Sequence, residues 1–341
     1  MKPLVSILIP AFNTQEWIAD TLRSAIAQTW ARKEIIVVDD GSTDETLTIA
    51  RQFEAKNVRV ISQENQGAAA ARNKAFSLSQ GEYIQWLDAD DLLASDKVAR
   101  QLEVADQTGN RRVLLSSAWG RFMYRYSRAR FLPTALWCDL SPVEWLMRKM
   151  GQNLYMQTAT WLISRELTEA AGLWNTSLLG DDDGEYFCRV LMQGDGVRFV
   201  EDAKVYYREA GSKSLSYIGR SDRKMEAQLH SMQLHVAYLR SLEDSERVRN
   251  VCVQYLQNWL INFYATRPDI VKNLEQMARD LGHGLNVPTL SWKYAWIRAV
   301  FGWSLAHRAQ LSLPSIRWSL ARSCDKALFH FENRAARSWQ I

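Results

Sequence analysis

The first ninety residues repeat one pattern, which constrains the fold more than any other feature of the sequence. Four short apolar runs, rich in β-branched residues, each lead into polar residues and then into a segment with helical periodicity. The four runs cover residues 5–9, 35–38, 58–61 and 83–87. Strands that alternate with helices in this way predict an α/β fold of Rossmann-like type, with a mostly parallel sheet flanked by helices.

Beyond about residue 225 the periodicity is helical only. Met225, Leu229, Met232, Val236 and Leu239 recur on one face, and a second stripe of the same kind follows it. We therefore expect an α/β domain over residues 1–218 and an all-helical C-terminal domain over residues 219–341. Between them the pattern is harder to interpret, although residues 113–116 and 160–163 are predicted to form further strands.

The composition excludes several classes of protein. A net charge of +4 gives no sign of a nucleic-acid partner. The four cysteines are far apart and never at CxxC spacing, which argues against a disulfide framework or zinc site and favours a reducing cytoplasm. We expect no export signal, since Pro10 ends the apolar run of residues 5–9, and the sequence has no run of about twenty uncharged apolar residues. We expect a cytoplasmic protein.

Acidic and polar residues follow the predicted strands, at the edge of the sheet where ligands gather in such folds. Asp88, Asp90 and Asp91 fall within four residues and repel one another unless a cation neutralises them. Carboxylates suit Mg²⁺ or Mn²⁺, which one or two carboxylates hold and substrate phosphates complete. Taken alone, such a turn is also typical of a helix cap or a solvated loop. Ser42 and Glu45 additionally predict a capping box.

Four motifs come in order along this stretch. They are PAFN at 10–13, VDDGSTD at 38–44, NQG at 65–67 with ARN at 71–73, and LDADD at 87–91. Together they resemble the family 2 glycosyltransferases of the GT-A fold over residues 3–95, and the resemblance resumes at 180–216. It implies an inverting, metal-dependent enzyme that transfers a sugar from a nucleotide diphosphate sugar to an acceptor hydroxyl. The expected donor is a UDP-sugar. It also suggests surface polysaccharide or lipopolysaccharide biosynthesis.

The resemblance assigns donor-binding roles by position. Phe12 would stack on the nucleotide base, Pro10 would shape that pocket, and Asp40 would accept a hydrogen bond from the base. Many relatives have tyrosine at position 12, so a phenolic hydroxyl is missing here.

The same resemblance places three further residues near the diphosphate. Arg72 would lie by the base or the diphosphate, where a planar cation suits phosphate oxygens. Asp90 matches the metal ligand of the DxD signature, and Asp88 would bind the ribose or the same ion. The expected cofactor is Mn²⁺ or Mg²⁺.

The catalytic base is expected in the acidic stretch Asp181, Asp182, Asp183. Aligning Arg189 with the arginine of the family places Asp183 on the usual base and Asp182 on the residue before it. The extra Asp181 allows a slip of one residue, so Asp182 is the second candidate. An acidic N-terminus that caps the following helix is the structural alternative.

Tyr207 and Arg208, followed by residues 212–216, resemble the end of the catalytic core. The histidine of the relatives is absent, since Glu209 follows Arg208, and no metal role is assigned here. The QxxRW motif of processive synthases is not evident, which favours transfer of single sugars. A nucleotidyltransferase would need a glycine- and lysine-rich loop after the first strand, and none is present. A catalytically inactive nucleotide-binding scaffold on the same fold is the other alternative.

Residues 290–341 are basic and rich in tryptophan. They hold eight Lys/Arg against two acids, together with Trp292, Trp296, Trp303, Trp318 and Trp339. Three uses are open for this region: peripheral contact with an anionic membrane, packing of a stripe that includes Trp292, Trp296 and Trp303 on the core, and a homodimer interface. A lipid-linked acceptor, rather than another saccharide acceptor, would suit contact with the inner face of the cell membrane.

Overall fold

The computed structural model describes residues 2–209 and 221–338, and in the last helix it describes only some of the side chains. These residues contain nine strands: β1 (Val5–Ala11), β2 (Lys33–Asp39), β3 (Val58–Ser62), β4 (Tyr83–Trp86), β5 (Leu92–Leu93), β6 (Val113–Phe122), β7 (Arg130–Phe131), β8 (Leu162–Ser164) and β9 (Gly196–Arg208). They also contain eleven α-helices: α1 (Ile18–Ile26), α2 (Thr46–Arg51), α3 (Ala68–Leu78), α4 (Lys97–Thr108), α5 (Pro142–Gly151), α6 (Arg165–Ala171), α7 (Asp182–Gln193), α8 (Asp222–Leu242), α9 (Glu246–Phe263), α10 (Pro268–Asp280) and α11 (Ala295–Ser338).

The strands form one sheet in the order β3-β2-β1-β4-β8-β6-β9-β5, and β7 pairs with β6. The four predicted N-terminal strands are confirmed, and all of them pair in parallel. Because β1 is buried along its whole length, its residues are apolar with the exception of Ser6. The second half of the sheet mixes directions, since β8 is antiparallel to both β4 and β6 whereas β6 and β9 are parallel.

The register brings the ends of the first strands to one edge. Ala11 at the end of β1 lies beside Asp39 at the end of β2, and Leu8 lies beside Trp86 of β4. The loops that begin at Phe12, Asp40 and Asp88 therefore leave the sheet next to one another, as the α/β pattern predicts.

The predicted capping box at Ser42 is wrong. Helix α2 begins at Thr46, and Glu45 at its N-cap makes no side-chain cap. The Ser42 hydroxyl instead accepts a hydrogen bond from the backbone N–H of Asn13, at 2.9 Å. Asp44 accepts the N–H of Thr46 at 3.0 Å. Ser42 therefore joins the loops that follow β1 and β2, and Asp44 satisfies a free donor of the helix.

The helical region packs against the α/β part of the chain. Met225, Met232, Val236 and Leu239 of α8 are buried in the same core as the sheet. Farther along, Asp325 of α11 accepts hydrogen bonds from the backbone N–H groups that follow β6. The predicted domain boundary at 218/219 falls outside the described residues, and the division into two domains stays a prediction.

The turn before the last helix and the start of that helix each expose a tryptophan side chain. Trp292 is 81% exposed and Trp296 is 63% exposed, so these two do not pack on the core as one of the three alternatives required. A left-handed glycine, Gly302 (φ 80°), interrupts the helix soon afterwards. No helix within the described ranges has both the length and the apolar character that crossing a membrane requires.

Candidate active site

The loop after β1 presents Phe12 at the edge of the sheet. Its side chain is 46% exposed, whereas Pro10 before it is buried in the strand. Asn13 has a left-handed backbone (φ 50°), and its side-chain oxygen accepts the N–H of Thr43 at 2.8 Å. The loop is thus fixed to its neighbour, and the ring of Phe12 is left free to contact a planar ligand.

Asp40 is buried, and both oxygens of its carboxylate accept hydrogen bonds from the protein. It accepts hydrogen bonds from the backbone N–H groups of Gln66 at 3.0 Å and Gly67 at 2.8 Å, and from the Gln63 amide at 2.8 Å. Gly67 adopts φ 92°, a conformation that favours glycine, just before α3 begins. Asp40 therefore shapes the turn that starts α3, and its contact with a nucleobase stays a prediction.

Helix α3 carries the residue that joins the acidic groups. The buried Arg72 guanidinium donates to Asp88 and to Asp182, each at 2.8 Å, and lies 4.3 Å from the ring centre of Trp174. Burial opposes its charge, but Asp88 and Asp182 outweigh this and raise the pKa of Arg72. A planar cation can hold two carboxylates at once, and the pairing connects segments 110 residues apart.

The three aspartates after β4, which we name the turn triplet (Asp88, Asp90, Asp91), differ in their surroundings. Asp88 pairs with Arg72. Asp91 is fully buried and accepts hydrogen bonds from the Gln157 amide and from the backbone N–H of Arg208, the latter at 2.8 Å. Among the residues described, the carboxylate of Asp90 accepts a hydrogen bond only from its own backbone N–H, and burial and the charge of Asp88 raise its pKa to about 7.

Three aspartates lie just before α7 and in its first turn, and we name them the loop triplet (Asp181, Asp182, Asp183). Their surroundings differ in the same way as those of the turn triplet. Asp181 has a left-handed backbone (φ 53°) and accepts the Ser231 hydroxyl of α8 at 2.6 Å. Asp182 pairs with Arg72. From the residues described, Asp183 accepts a hydrogen bond from the backbone N–H of Gly184 and one other, a long one from the Thr158 hydroxyl at 3.4 Å. Burial, and then Asp182 and Asp181, raise the pKa of Asp183 to about 7.

The turn triplet fits a divalent cation that a ligand completes. Within residues 2–209 and 221–338, no group of three or more His, Cys, Asp or Glu side chains is arranged to hold an ion by itself. Asp88 and Asp90 nevertheless offer two hard carboxylates, and Asp90 forms no salt bridge with a described residue, although the charges of Arg208 and Arg322 act on it. Magnesium and manganese sites commonly use one or two carboxylates together with substrate phosphates, so this donor set suits them.

Several residues of the site have no distinct signal in the sequence. Gln157 and Thr158 come from the stretch that the periodicity did not resolve, and they contact one triplet each. Ser231 and Trp174 look like ordinary helix and core residues. Arg208 was noted only as the end of the core, yet its guanidinium also donates to the backbone oxygen of Asp90 at 2.8 Å. Residues 212–216, which resemble a loop over the diphosphate, lie outside the described part of the chain.

Part of the chain is similar to known glycosyltransferases. Residues 6–158 match the family model described as Glycosyl transferase family 2. This segment is a family 2 glycosyltransferase domain. TuaG of Bacillus subtilis (strain 168), a glycosyltransferase assigned provisionally to teichuronic acid biosynthesis, is 46% identical over 105 residues, which are 30% of this chain and 42% of TuaG. Chondroitin synthase of Escherichia coli is 47% identical over 98 residues, which are 28% of this chain and 14% of the synthase. The chain thus spans less than half the length of either relative.

Solved structures show that the family 2 domain has the predicted GT-A fold. TarS residues 1–349 of S. aureus in complex with UDP superpose with a TM-score of 0.59 at 18% identity, over 88% of this chain and 79% of that one. The mannosyltransferase PcManGT from Pyrobaculum calidifontis, in complex with GDP-Man and Mn²⁺, gives a TM-score of 0.52 at 18% identity, over 95% and 85%.

Proposed function

We propose that the protein is an inverting glycosyltransferase that moves a sugar from a nucleoside diphosphate sugar to a hydroxyl of a saccharide or lipid-linked acceptor. The observation that carries the proposal is the joining of two aspartate triplets by Arg72, with one carboxylate in each triplet left almost without partners. The family 2 domain supports the reaction class. The UDP and GDP-Man of the structural neighbours support a nucleotide donor, and UDP-sugars are the first candidates.

On the donor side, Phe12 would stack on the base in the pocket that Pro10 and Asp40 shape. Asp90 and the free oxygen of Asp88 would hold Mn²⁺ or Mg²⁺ against the diphosphate. A cation bound there acts as a Lewis acid for the leaving diphosphate. Arg72 keeps Asp88 in place, because its buried guanidinium cannot move without breaking two ion pairs.

On the acceptor side, Asp183 is a better candidate for the base than Asp182. Asp182 is neutralised by Arg72 at 2.8 Å, whereas Asp183 has no cationic partner within salt-bridge distance among the residues described. A pKa of about 7 suits a general base at neutral pH. Asp183 would take the proton of the acceptor hydroxyl as its oxygen bonds to the anomeric carbon and the bond from that carbon to the diphosphate breaks. Inversion follows from this single displacement.

The test is thermal stabilisation by nucleoside diphosphates and nucleotide sugars, each with and without Mn²⁺. We expect one nucleotide to raise the melting temperature only when Mn²⁺ is present, and a uridine nucleotide is the first candidate. The stabilising nucleotide sugar is then incubated with acceptors, and NMR of the product gives the anomeric configuration. Binding with neither transfer nor donor hydrolysis would favour the inactive scaffold. No stabilisation by any nucleotide would overturn a nucleotide-dependent function altogether.

The exposed tryptophans support peripheral contact with an anionic bilayer as part of this proposal, in the setting of surface polysaccharide biosynthesis. Both acids of residues 290–341 are paired with a cation: Asp325 and Glu332 form ion pairs with Arg125, at 2.7 and 2.8 Å. The remaining charges of this region are basic, and Trp292 and Trp296 stand exposed at its start. Aromatic and basic side chains of this kind insert at anionic interfaces.

Sedimentation with vesicles tests this contact. We expect binding to phosphatidylglycerol vesicles and not to phosphatidylcholine vesicles, with a loss on replacing both Trp292 and Trp296 by alanine. Leu132→Ala with Leu173→Ala is the matched control, since both leucines are also exposed. A variant that sediments like the wild type would refute the contact, and a mass that doubles with concentration would assign the surface to a homodimer.

A further inference from the structure

One short segment touches both aspartate triplets. Gln157 donates to Asp91 of the turn triplet, and Thr158 donates to Asp183 of the loop triplet. Two residues earlier in the same segment, the hydroxyl of Tyr155 accepts a hydrogen bond from Arg121 at 2.8 Å. Tyr155 therefore lies beside the region in which donor and acceptor would meet.

Tyr155 belongs to a group of rings that we name the aromatic platform (Trp119, Tyr155, Tyr207). The centre of the Tyr155 ring lies 5.2 Å from that of Trp119, and Trp119 lies 5.8 Å from Tyr207 in an edge-on arrangement. Trp119 and Tyr207 come from the neighbouring strands β6 and β9. Trp119 is buried, so the platform has a fixed base on the sheet.

Tyr155 is held by its neighbours and still exposes much of its side chain to solvent. Its side chain is 43% exposed although its ring is held on one side by Trp119 and at its hydroxyl by Arg121. The guanidinium of Arg121 also lies over both rings, 5.2 Å from the centre of Trp119 and 5.8 Å from that of Tyr155. The nearest carboxylate oxygen of Glu209 forms an ion pair with Arg121 at 3.7 Å, a distance too long for a hydrogen bond. The result is a rigid, solvent-facing aromatic ring edged by N–H donors.

Such a surface matches a pyranose. The C–H groups on one face of the sugar ring pack against an aromatic ring, while its hydroxyls accept hydrogen bonds at the edge. Burial raises the pKa of Tyr155 although the charge of Arg121 opposes this, so its hydroxyl stays neutral and is not repelled by Asp183. A ring that is fixed before the ligand arrives loses little conformational freedom on binding.

We propose that Tyr155 is the surface on which a pyranose of the acceptor stacks, with Trp119 supporting the ring and Arg121 as a positioning residue. The acceptor is then recognised as a saccharide, whose hydroxyl reaches Asp183, and any lipid it carries is not the recognised part. This inference rests on the proposed function, because it assigns the acceptor half of the same site.

Saturation-transfer NMR with methyl β-D-pyranosides of glucose, galactose, N-acetylglucosamine and glucuronic acid tests the inference directly. Spectra are taken in the presence of UDP and Mn²⁺, for the wild type, Tyr155→Ala, Tyr155→Phe and Tyr126→Ala. Tyr126 is the matched control, since it is exposed and lies edge-on to another tyrosine but makes no contact with either triplet among the residues described.

We expect at least one glycoside to bind the wild type, Tyr155→Ala to weaken this binding by about tenfold or more, and Tyr155→Phe to keep most of it. Tyr126→Ala should match the wild type. Glycosides that bind none of the proteins, or bind Tyr155→Ala as well as the wild type, would overturn the inference. Stabilisation by UDP with Mn²⁺ is measured on the same samples. Its absence would count against the proposed function, whereas its presence without glycoside binding would count against the platform alone.

Discussion

The two aspartate triplets are alike in sequence and in arrangement, and they differ in what anchors them. In each, one member is bound into the fold, one pairs with Arg72 and one keeps a carboxylate with a pKa of about 7. The buried member of the turn triplet, Asp91, is held by a backbone N–H of the sheet. The corresponding member of the loop triplet, Asp181, is held by Ser231 of the helical region. The number of aspartates in a triplet therefore does not reveal their roles. The partner of each aspartate distinguishes a structural residue from one that is free to react.

The difference also separates the expected roles of the two free carboxylates. Asp90 shares its turn with Asp88 and gains from a cation that neutralises both. Asp183 is flanked by Asp182, which Arg72 already neutralises, and its nearest side-chain donor is a hydroxyl. One site therefore favours a metal ion and the other favours a proton.

The largest expected effect is a loss of kcat on substitution of Asp183, which also distinguishes this residue from Asp182. Asp183→Asn should lower kcat by about a thousandfold, or roughly 4 kcal/mol, because a general base is lost while the shape is kept. Donor affinity, measured by thermal shift, should not change. Asp202→Asn, at a residue 78% exposed, is the control. If Asp182→Asn gave the larger loss with Asp183→Asn active, the assignment of the base would move to Asp182.

Removing the residue that joins the triplets should be the next largest effect. Arg72→Ala leaves Asp88 and Asp182 without their cation in a partly buried site, and should lower the free energy of unfolding by about 3 kcal/mol. Arg72→Lys keeps the charge but not two simultaneous pairs, so its loss should be smaller. Urea unfolding followed by circular dichroism measures both. Equal stability of all three proteins would contradict a structural connection between the triplets.

Metal binding should depend on Asp90 and on pH. Stabilisation by saturating Mn²⁺ with nucleotide, about 2.7 kcal/mol at a hundred times the Kd, should be lost in Asp90→Asn. Because the folded-state pKa of Asp90 lies above that of the unfolded chain, the metal-free protein should lose stability as pH rises from about 4 to about 7. Mn²⁺ should therefore stabilise it more at about pH 8 than at about pH 5.5. Equal stabilisation at both values would argue against Asp90 as a ligand.

The smallest expected effect is a shift in the pH dependence of transfer. Because the base must be deprotonated, kcat should rise with pH to a plateau, with a midpoint at about 7. Asp181→Asn removes a nearby negative charge, which should lower the pKa of Asp183 and move this midpoint down by about half a unit. The side-chain amide oxygen in this variant can still accept the Ser231 hydroxyl, so the loop should keep its place. A midpoint that moves upward or stays fixed would show that another group controls the profile.

The sequence predicted the N-terminal half of the fold well because its signals there are local. The strands that hold Ile7, Val37 and Ile84 are buried over most of their length, so their residues are mostly apolar and easy to recognise. The motif residues Asp40, Arg72, Asp88 and Asp90 could be named because they lie in short contiguous motifs that resemble those of family 2 glycosyltransferases. The prediction of a capping box at Ser42 failed because a backbone N–H from another loop satisfied the hydroxyl first.

The rest of the site depends on contacts that no local pattern encodes. Gln157 and Thr158 belong to a turn with no clear periodicity, and only the folded sheet brings them to the two triplets. The pairing of Arg72 with both Asp88 and Asp182 is likewise a property of the tertiary structure. In the sequence Trp119 and Tyr155 resemble ordinary core aromatics, and only their exposure separates one from the other.

The reach of Arg72 along the chain also has a consequence for biosynthesis. Of its two partners, Asp88 lies 16 residues away in the sequence and Asp182 lies 110 residues away. Asp91 accepts a hydrogen bond from an N–H that is 117 residues away. Each such closure costs entropy before the contact stabilises anything, and long-range contacts slow folding. While the ribosome is still adding the second half, the emerging chain already carries Arg72 with one of its two carboxylates. Maturation of the site is therefore a late event, and a nascent chain halted after residue 158 would contain the family 2 domain without a finished active site.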